Sequence, residues 1–383
     1  MRLLKLPSFS ACVIDGDETI WSNSYGYYDL EEEKQANYDT IYNQGSISKT
    51  ITGTALMQLR EQGLFDLDED VNNYLPFNLR NPHFPDDPIT FRMLLSHSSS
   101  LNPEIGLNEY SKWINFSSNP PFSFYPYPWL KNMLIPEGKW YYPERWSNIY
   151  HPGEYSMYAN VNFDLIAYLV ELISGESFVN YCKSHIFSPL EMYDTSFNLS
   201  TLDLDNVAIP YHYHNGEYLK INELSYLLGD FTPNDKYWRV LYYPVGGLYT
   251  TISDLSHFFI AHMNNGVWND VRILEEETIE EMHMIQPPGI KEANLQYYGL
   301  AWIIFKNPLI FNETLSGHSG DTYGVSTWMV YVPSENLGVI YFSNGDRINE
   351  QNPILGQMSM IFFLQLLFKI GGYNLFSHIS LRR

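Results

Sequence analysis

A hydroxyl and an amine three residues apart are the groups in this chain best suited to covalent chemistry: Ser46 and Lys49, in Gln44-Gly45-Ser46-Ile47-Ser48-Lys49-Thr50. The residues after Ser46 begin a helical pattern, and positions three apart share a helix face. The two side chains would therefore stand together at a helix start. A serine hydroxyl is a poor nucleophile until a neighbouring base takes its proton, and a lysine can be that base when burial or nearby cations lower its pKa. A Ser-x-x-Lys match also arises by chance, the ordinary explanation being an N-cap serine followed by a solvated lysine. The pair needs company to mean anything.

Two other stretches supply it. Tyr158-Ala159-Asn160 follows Pro152-Gly153-Glu154 and precedes a helical pattern. A tyrosine near a lysine ammonium is more readily ionised and can relay protons. Asn160 carries an amide able to hold Lys49 or a substrate carbonyl. Gly317-His318-Ser319-Gly320-Asp321 leads into a strand, and its glycines would let a substrate backbone lie close. His318 is readable as a proton relay, a carbonyl or carboxylate contact, or a polar strand-end residue; direct contact with the substrate is favoured because histidine titrates near neutrality.

Together these residues resemble the serine β-lactamase and penicillin-binding-protein superfamily, whose signature is Ser-x-x-Lys with two further motifs. The resemblance is to the β-lactamase-related branch that includes class C β-lactamases, D-Ala-D-Ala carboxypeptidases, D-aminopeptidases and some esterases. Tyr158-Ala159-Asn160 stands in the second position and His318-Ser319-Gly320 in the third, where histidine replaces the usual lysine. Gly63–Val71, Leu94-Leu95-Ser96-His97-Ser98-Ser99, Pro189–Thr195, Gly246–Leu255 and Phe342-Ser343-Asn344-Gly345 fit the branch in order, across nearly all of residues 6–370. The resemblance implies an acyl-enzyme hydrolase of small esters, D-amino-acid amides or peptides, or β-lactams. Ser46, Lys49 and Tyr158 would be catalytic, and the oxyanion would lie between the backbone N–H groups of Ser46 and Asp321. Asn160, His318, Ser319 and Gly320 would bind substrate. The scheme calls for no metal or cofactor. The alternative is a catalytically idle binding or scaffold protein that keeps the fold; none of Ser46, Lys49 and Tyr158 is missing, which weighs against it.

The elements that must position these groups follow from periodicity and punctuation. Phe9–Ile14 and Glu18–Asn23 read as a hairpin around Asp15-Gly16-Asp17. Ser46–Gln62 reads as a helix stopped at Gly63. Short or medium helices are predicted over Ile89–Ser96, Asn160–Gly175, Thr251–Asn264 (with Thr251 or Ser253 as cap) and Glu275–Met284. Strands are predicted over Gly299–Phe305, Gly324–Val332 and Gly338–Ser343, and a buried helix over Ile354–Ile370. This order makes an α+β arrangement with an antiparallel sheet. With the resemblance it becomes a β-lactamase/transpeptidase-like single domain over 1–383, with a sheet region at about 6–45 and 290–371 and a mainly helical insertion at about 46–289. Residues 103–152, rich in aromatics and proline, read as an irregular excursion with its own small core, either a substrate wall or a satellite cluster. The family's usual helix before the first strand has no counterpart, so a truncated N-terminus is expected.

Composition narrows the partners. The chain has 383 residues, 45% hydrophobic and 17% charged, which fits a packed globular protein rather than a disordered one. Its formal net charge of −22 argues against nucleic acid or an anionic membrane as partner. A small-molecule or peptide-like substrate fits better, with oligomeric state open. Two cysteines, Cys12 and Cys182, exclude a disulfide framework but would permit one bridge. The N-terminal apolar run is too short for a signal peptide, so a cytoplasmic location is expected and the three Asn-x-Ser/Thr sites are taken as accidental. Polar residues within 354–370 argue against a membrane span. His97 is expected to stabilise its turn. His212 and His214 share a strand face as a metal pair would, but no cluster completes a site. No Gly-x-Ser-x-Gly elbow or phosphate loop competes.

Overall fold

The structure, a computed structural model, describes residues 5–103, 127–221, 243–289, 296–306, 313–322, 324–345 and 364–373. Fourteen strands are found among them: β1 (Ser8–Asp15), β2 (Glu18–Asp29), β3 (Lys34–Gln35), β4 (Tyr42–Asn43), β5 (Tyr211–His214), β6 (Glu217–Lys220), β7 (Tyr249–Thr250), β8 (Val267–Trp268), β9 (Val271–Arg272), β10 (Gln296–Tyr298), β11 (Ile303–Phe305), β12 (Leu315–Thr322), β13 (Val325–Val332) and β14 (Leu337–Ser343). Eight form one sheet in the order β10-β11-β12-β13-β14-β1-β2-β3. Neighbours are antiparallel throughout. The two ends of the described chain thus meet at β1 and β14, where Phe9 faces Ser343 and Asp15 faces Leu337.

Strand alternation sorts the sheet into two faces. On β1, Cys12 and Ile14 join the core that also holds Met329, Ile340 and Phe342. Ala11 and Val13 point the other way, into a second core with Val330, Val339 and the buried Leu364, Leu367 and Phe368. Residues 364–370 are helical, so the last part of the predicted terminal helix covers this face; 354–363 lie outside the described residues. With both faces covered, β1 reads as a continuous apolar run.

The helices pack on the first face: α1 (Ser48–Glu61), α2 (Phe91–Leu95), α3 (Tyr127–Leu134), α4 (Val161–Ser174), α5 (Phe178–Cys182), α6 (Tyr243–Gly246), α7 (Ile252–Met263) and α8 (Glu276–His283). Helix α1 is buried from Ser48 to Leu59, a central rather than a surface helix. It ends as predicted, at Gly63 in the left-handed region, with the Gly63 N–H donating to the Arg60 carbonyl and the Leu64 N–H to that of Leu59. Thr251 caps α7, its side chain accepting from the Asp254 N–H at 3.1 Å.

Three expectations change. The His318 segment does not lead into a strand but lies within β12. The predicted strand from Gly299 begins at Ile303, because Gly299–Trp302 turn between β10 and β11, with the Gly299 N–H on the Trp302 carbonyl. The described part of the aromatic excursion forms no separate core: Leu130, Met133, Leu134 and Trp146 belong to the main one. Trp146 donates its indole N–H to the Leu134 carbonyl at 3.0 Å. Residues 104–126 of that excursion lie outside the described residues. Cys12 and Cys182 are separate buried thiols, so no bridge forms. Among the described residues, no helix is long and apolar enough to cross a membrane.

Candidate active site

The nucleophile candidate sits where the chain turns into α1. Gly45–Ile47 make one 3₁₀ turn before the helix, and Ser46 is half-buried there. One helical step on, Lys49 is fully buried at 0% exposure, and its Nζ donates to Ser46 Oγ at 2.9 Å. The spacing predicted from sequence is the contact found. Lys49 Nζ also donates to the Val245 carbonyl at 2.8 Å, a partner that sequence reasoning missed. The neighbouring Pro244 carbonyl accepts from Thr52 Oγ1 at 2.7 Å, so α6 is pinned to α1 at two points. A backbone carbonyl leaves no mark in sequence, and Val245 was out of reach for that reason.

Tyr158 closes one side. Its ring centroid lies 5.0 Å from Lys49 Nζ, and that of Phe163 lies 5.9 Å away, within the range of cation–π attraction. Asn160, half-buried, stands at the N-cap of α4 without its side chain capping the helix.

β12 closes the opposite side. Gly45 has φ of +51°, and a Cβ added there would stand 3.1 Å from the Asp321 N and 3.2 Å from the Gly320 carbon. A Cβ on Gly320 would stand 2.0 Å from the Gln44 carbonyl oxygen. The two backbones touch because both residues are glycine. Thr327 Oγ1 locks the junction by donating to the Gln44 carbonyl at 2.8 Å. The segment bearing Ser46 and the segment bearing Asp321 are thus adjoining.

His318 is 2% exposed. Its Nδ1 donates to the Ser319 carbonyl at 2.7 Å, since a carbonyl can only accept. Burial, then the charge of Lys49, pushes its pKa down to about 3, against the pull of that hydrogen bond. This overturns the reason given for a role at His318: the imidazole does not titrate near neutrality. It is a neutral ring with an acceptor Nε2, not a cation. Ser319 is half-buried, and Gly320 is buried against Gln44.

His97 was assigned to its turn alone, yet its ring stacks on Tyr158 with centroids 4.4 Å apart. The signal available was its place in Leu94–Ser99, one of the stretches that carried the resemblance. His212 and His214 do share a strand face, with ring centroids 6.0 Å apart. Among the described residues, no group of three or more metal-ligating side chains includes them or any others.

A sheet with a buried Ser-x-x-Lys helix on one face, a tyrosine above it and a glycine-lined strand beside it defines a protein of the serine β-lactamase and penicillin-binding class. The comparisons agree. The chain matches the Beta-lactamase family over residues 2–356 and belongs to it. It is 26% identical over 365 residues to penicillin-binding protein 4* of Bacillus subtilis, covering 92% of this chain and 71% of that protein. It is 22% identical to protein flp of Staphylococcus aureus, of which it spans 60%. Among solved structures, the octameric penicillin-binding protein homologue from Pyrococcus abyssi superposes with a TM-score of 0.74 at 25% identity, covering 96% of this chain and 75% of that one. The D-amino acid amidase of Ochrobactrum anthropi SV3 superposes at 0.68 and 19% identity, with 90% of each chain covered, and so shares the fold. Family membership supports a serine hydrolase of this general type.

Proposed function

We propose that the chain hydrolyses a small ester or a D-amino-acid amide or peptide through an acyl-enzyme on Ser46. The observation that carries this is the 2.9 Å contact between Ser46 Oγ and a fully buried Lys49 Nζ, with Tyr158 5.0 Å away. Ser46 Oγ attacks the carbonyl carbon and its proton passes to the Lys49–Tyr158 unit. The two groups titrate together, so the acceptor is the pair rather than either member. The tetrahedral oxyanion is held by the N–H groups of Ser46 and Asp321. The unit returns the proton to the leaving oxygen or nitrogen as its bond to carbon breaks. Water then attacks the acyl carbon and gives a proton to the same unit, which restores the Ser46 hydroxyl as the acid departs.

His318, neutral, offers Nε2 to a substrate N–H or O–H rather than a charge to a carboxylate. That ranks uncharged esters and amides ahead of substrates with a carboxylate at this point, and β-lactams lower. The D-amino acid amidase of the same fold makes D-amino-acid amides a class worth assaying beside esters. The test is incubation of the wild type and Ser46→Ala with a fluorescent penicillin, p-nitrophenyl acetate and D-alanine p-nitroanilide, reading covalent mass and turnover. Ser46-dependent turnover of ester or anilide is expected. Folded wild-type protein with neither adduct nor turnover would refute the reading.

A further inference from the structure

The proposed chemistry makes no use of His97, yet the structure builds a seat for Tyr158 out of it. The two rings lie nearly flat on one another, 29° apart in plane with centroids at 4.4 Å. Tyr298 meets the imidazole edge-on, centroids 5.0 Å apart, and lies 6.3 Å from the Tyr158 ring, so the three rings pack together. His97 also holds the chain on both sides of the tyrosine: its carbonyl accepts the Met157 N–H at 2.7 Å, and its Nδ1 accepts the Ala159 N–H at 3.2 Å. Its φ is +56°. A non-glycine residue keeps such a backbone only where its surroundings impose it.

We propose that His97 is the positioning residue of Tyr158, fixing ring and backbone so that the ring stays beside Lys49. This rests on the reading of Tyr158 as part of the proton-transfer unit. Histidine suits the place because it joins a flat ring to an acceptor; phenylalanine lacks the acceptor and asparagine the ring. The charge state agrees. An Nδ1 that accepts from an amide carries no proton, and burial, Lys49 and His318 all hold the imidazole neutral. A cation here would oppose Lys49.

The experiment is a double-mutant cycle of wild type, His97→Asn, Tyr158→Phe and the double variant, on the full chain with p-nitrophenyl acetate. Asparagine tolerates a left-handed backbone and keeps an acceptor. Loss of the seat should lower kcat by about tenfold or more at unchanged KM, the lower end of what positioned acid–base groups contribute. In the Tyr158→Phe background the same change should cost less than about twofold. Equal losses in both backgrounds, or an undiminished kcat, would overturn the inference. Should His97→Asn not fold, His97→Phe is read in the same cycle with the same expectation.

A second readout does not need turnover. The Tyr158 ring resonance, assigned by its disappearance in Tyr158→Phe, should be single and sharp in the wild type and shifted and broadened in the His97 variant. An unchanged resonance would overturn the inference. Absence of Ser46-dependent turnover in the wild type would instead strike at the hydrolase reading.

Discussion

Lowering the pH from 7 to 5 should destabilise this protein, and the buried histidines set the size of the loss. His318 has its pKa pushed from 6.5 to about 3, chiefly by burial. The unfolded chain takes up a proton near 6.5 that the folded chain refuses, so the stability from this group is present above 6.5 and is lost as pH falls below it. Between pH 7 and pH 5 the loss is on the order of 2 kcal/mol, at 1.36 kcal/mol per pKa unit. His283, also pushed down to about 3 by burial, and His97 and His262, buried and held well below 6.5, add to it in the same direction. Asp254 opposes them. Burial raises its pKa from 3.8 to about 6, against its hydrogen bonds from Thr195 and the Asp194 N–H. The folded state therefore binds its proton first, and acid stabilises it by on the order of 1 kcal/mol over the same interval. The expected net is a fall. Urea denaturation at pH 7, 6 and 5 measures it, with Asp254→Asn beside the wild type. That variant keeps an acceptor for Thr195 but loses the opposing contribution, so its fall should exceed that of the wild type by on the order of 1 kcal/mol. Stability that is flat or rising from pH 7 to 5, or identical falls in the two proteins, would refute the reasoning.

Tyr158→Phe should lower kcat by about 10²–10⁴-fold for amide or anilide substrates while the fold persists, as stopped-flow turnover and circular dichroism would record. Gly320→Ala would drive a methyl to 2.0 Å from the Gln44 carbonyl; the melting temperature should drop in line with about 1–3 kcal/mol of overpacking, and turnover by about a hundredfold as the Ser46 and Asp321 segments part. A chain of hydrogen bonds runs from Thr54 Oγ1 to His262 (3.0 Å), to His283 (3.3 Å) and to Ser316 Oγ (2.6 Å), tying α1 to β12 through α7 and α8. His283→Phe strands its partners and should cost about 1–3 kcal/mol by denaturant titration.

Much of this was legible in the residue order because the signals were local. Ser46 and Lys49 are one helical step apart, so a pattern of period 3.6 placed them together before any fold was known. The stop at Gly63, the cap at Thr251 and the hairpin at Gly16 are likewise written in single residues with one favoured backbone state. The motif order was enough to name the superfamily. Where strands begin in the 296–305 region was not legible, because Gly299–Trp302 turn for reasons set by their neighbours rather than by their own preferences.

The chemistry of the site depended on tertiary structure. That Lys49 is held by the Val245 carbonyl, that Gly45 and Gly320 bring two backbones into contact, and that His97 lies flat under Tyr158 all join residues far apart in the chain. His318 is the clearest case. By type it is a histidine that should titrate near neutrality, and by position it stands in the third motif. Only burial beside Lys49 turns it into a neutral acceptor. Residue order dictates what a side chain is and who its helical neighbours are; solvation and charge belong to the surroundings, which exist only once distant segments have packed.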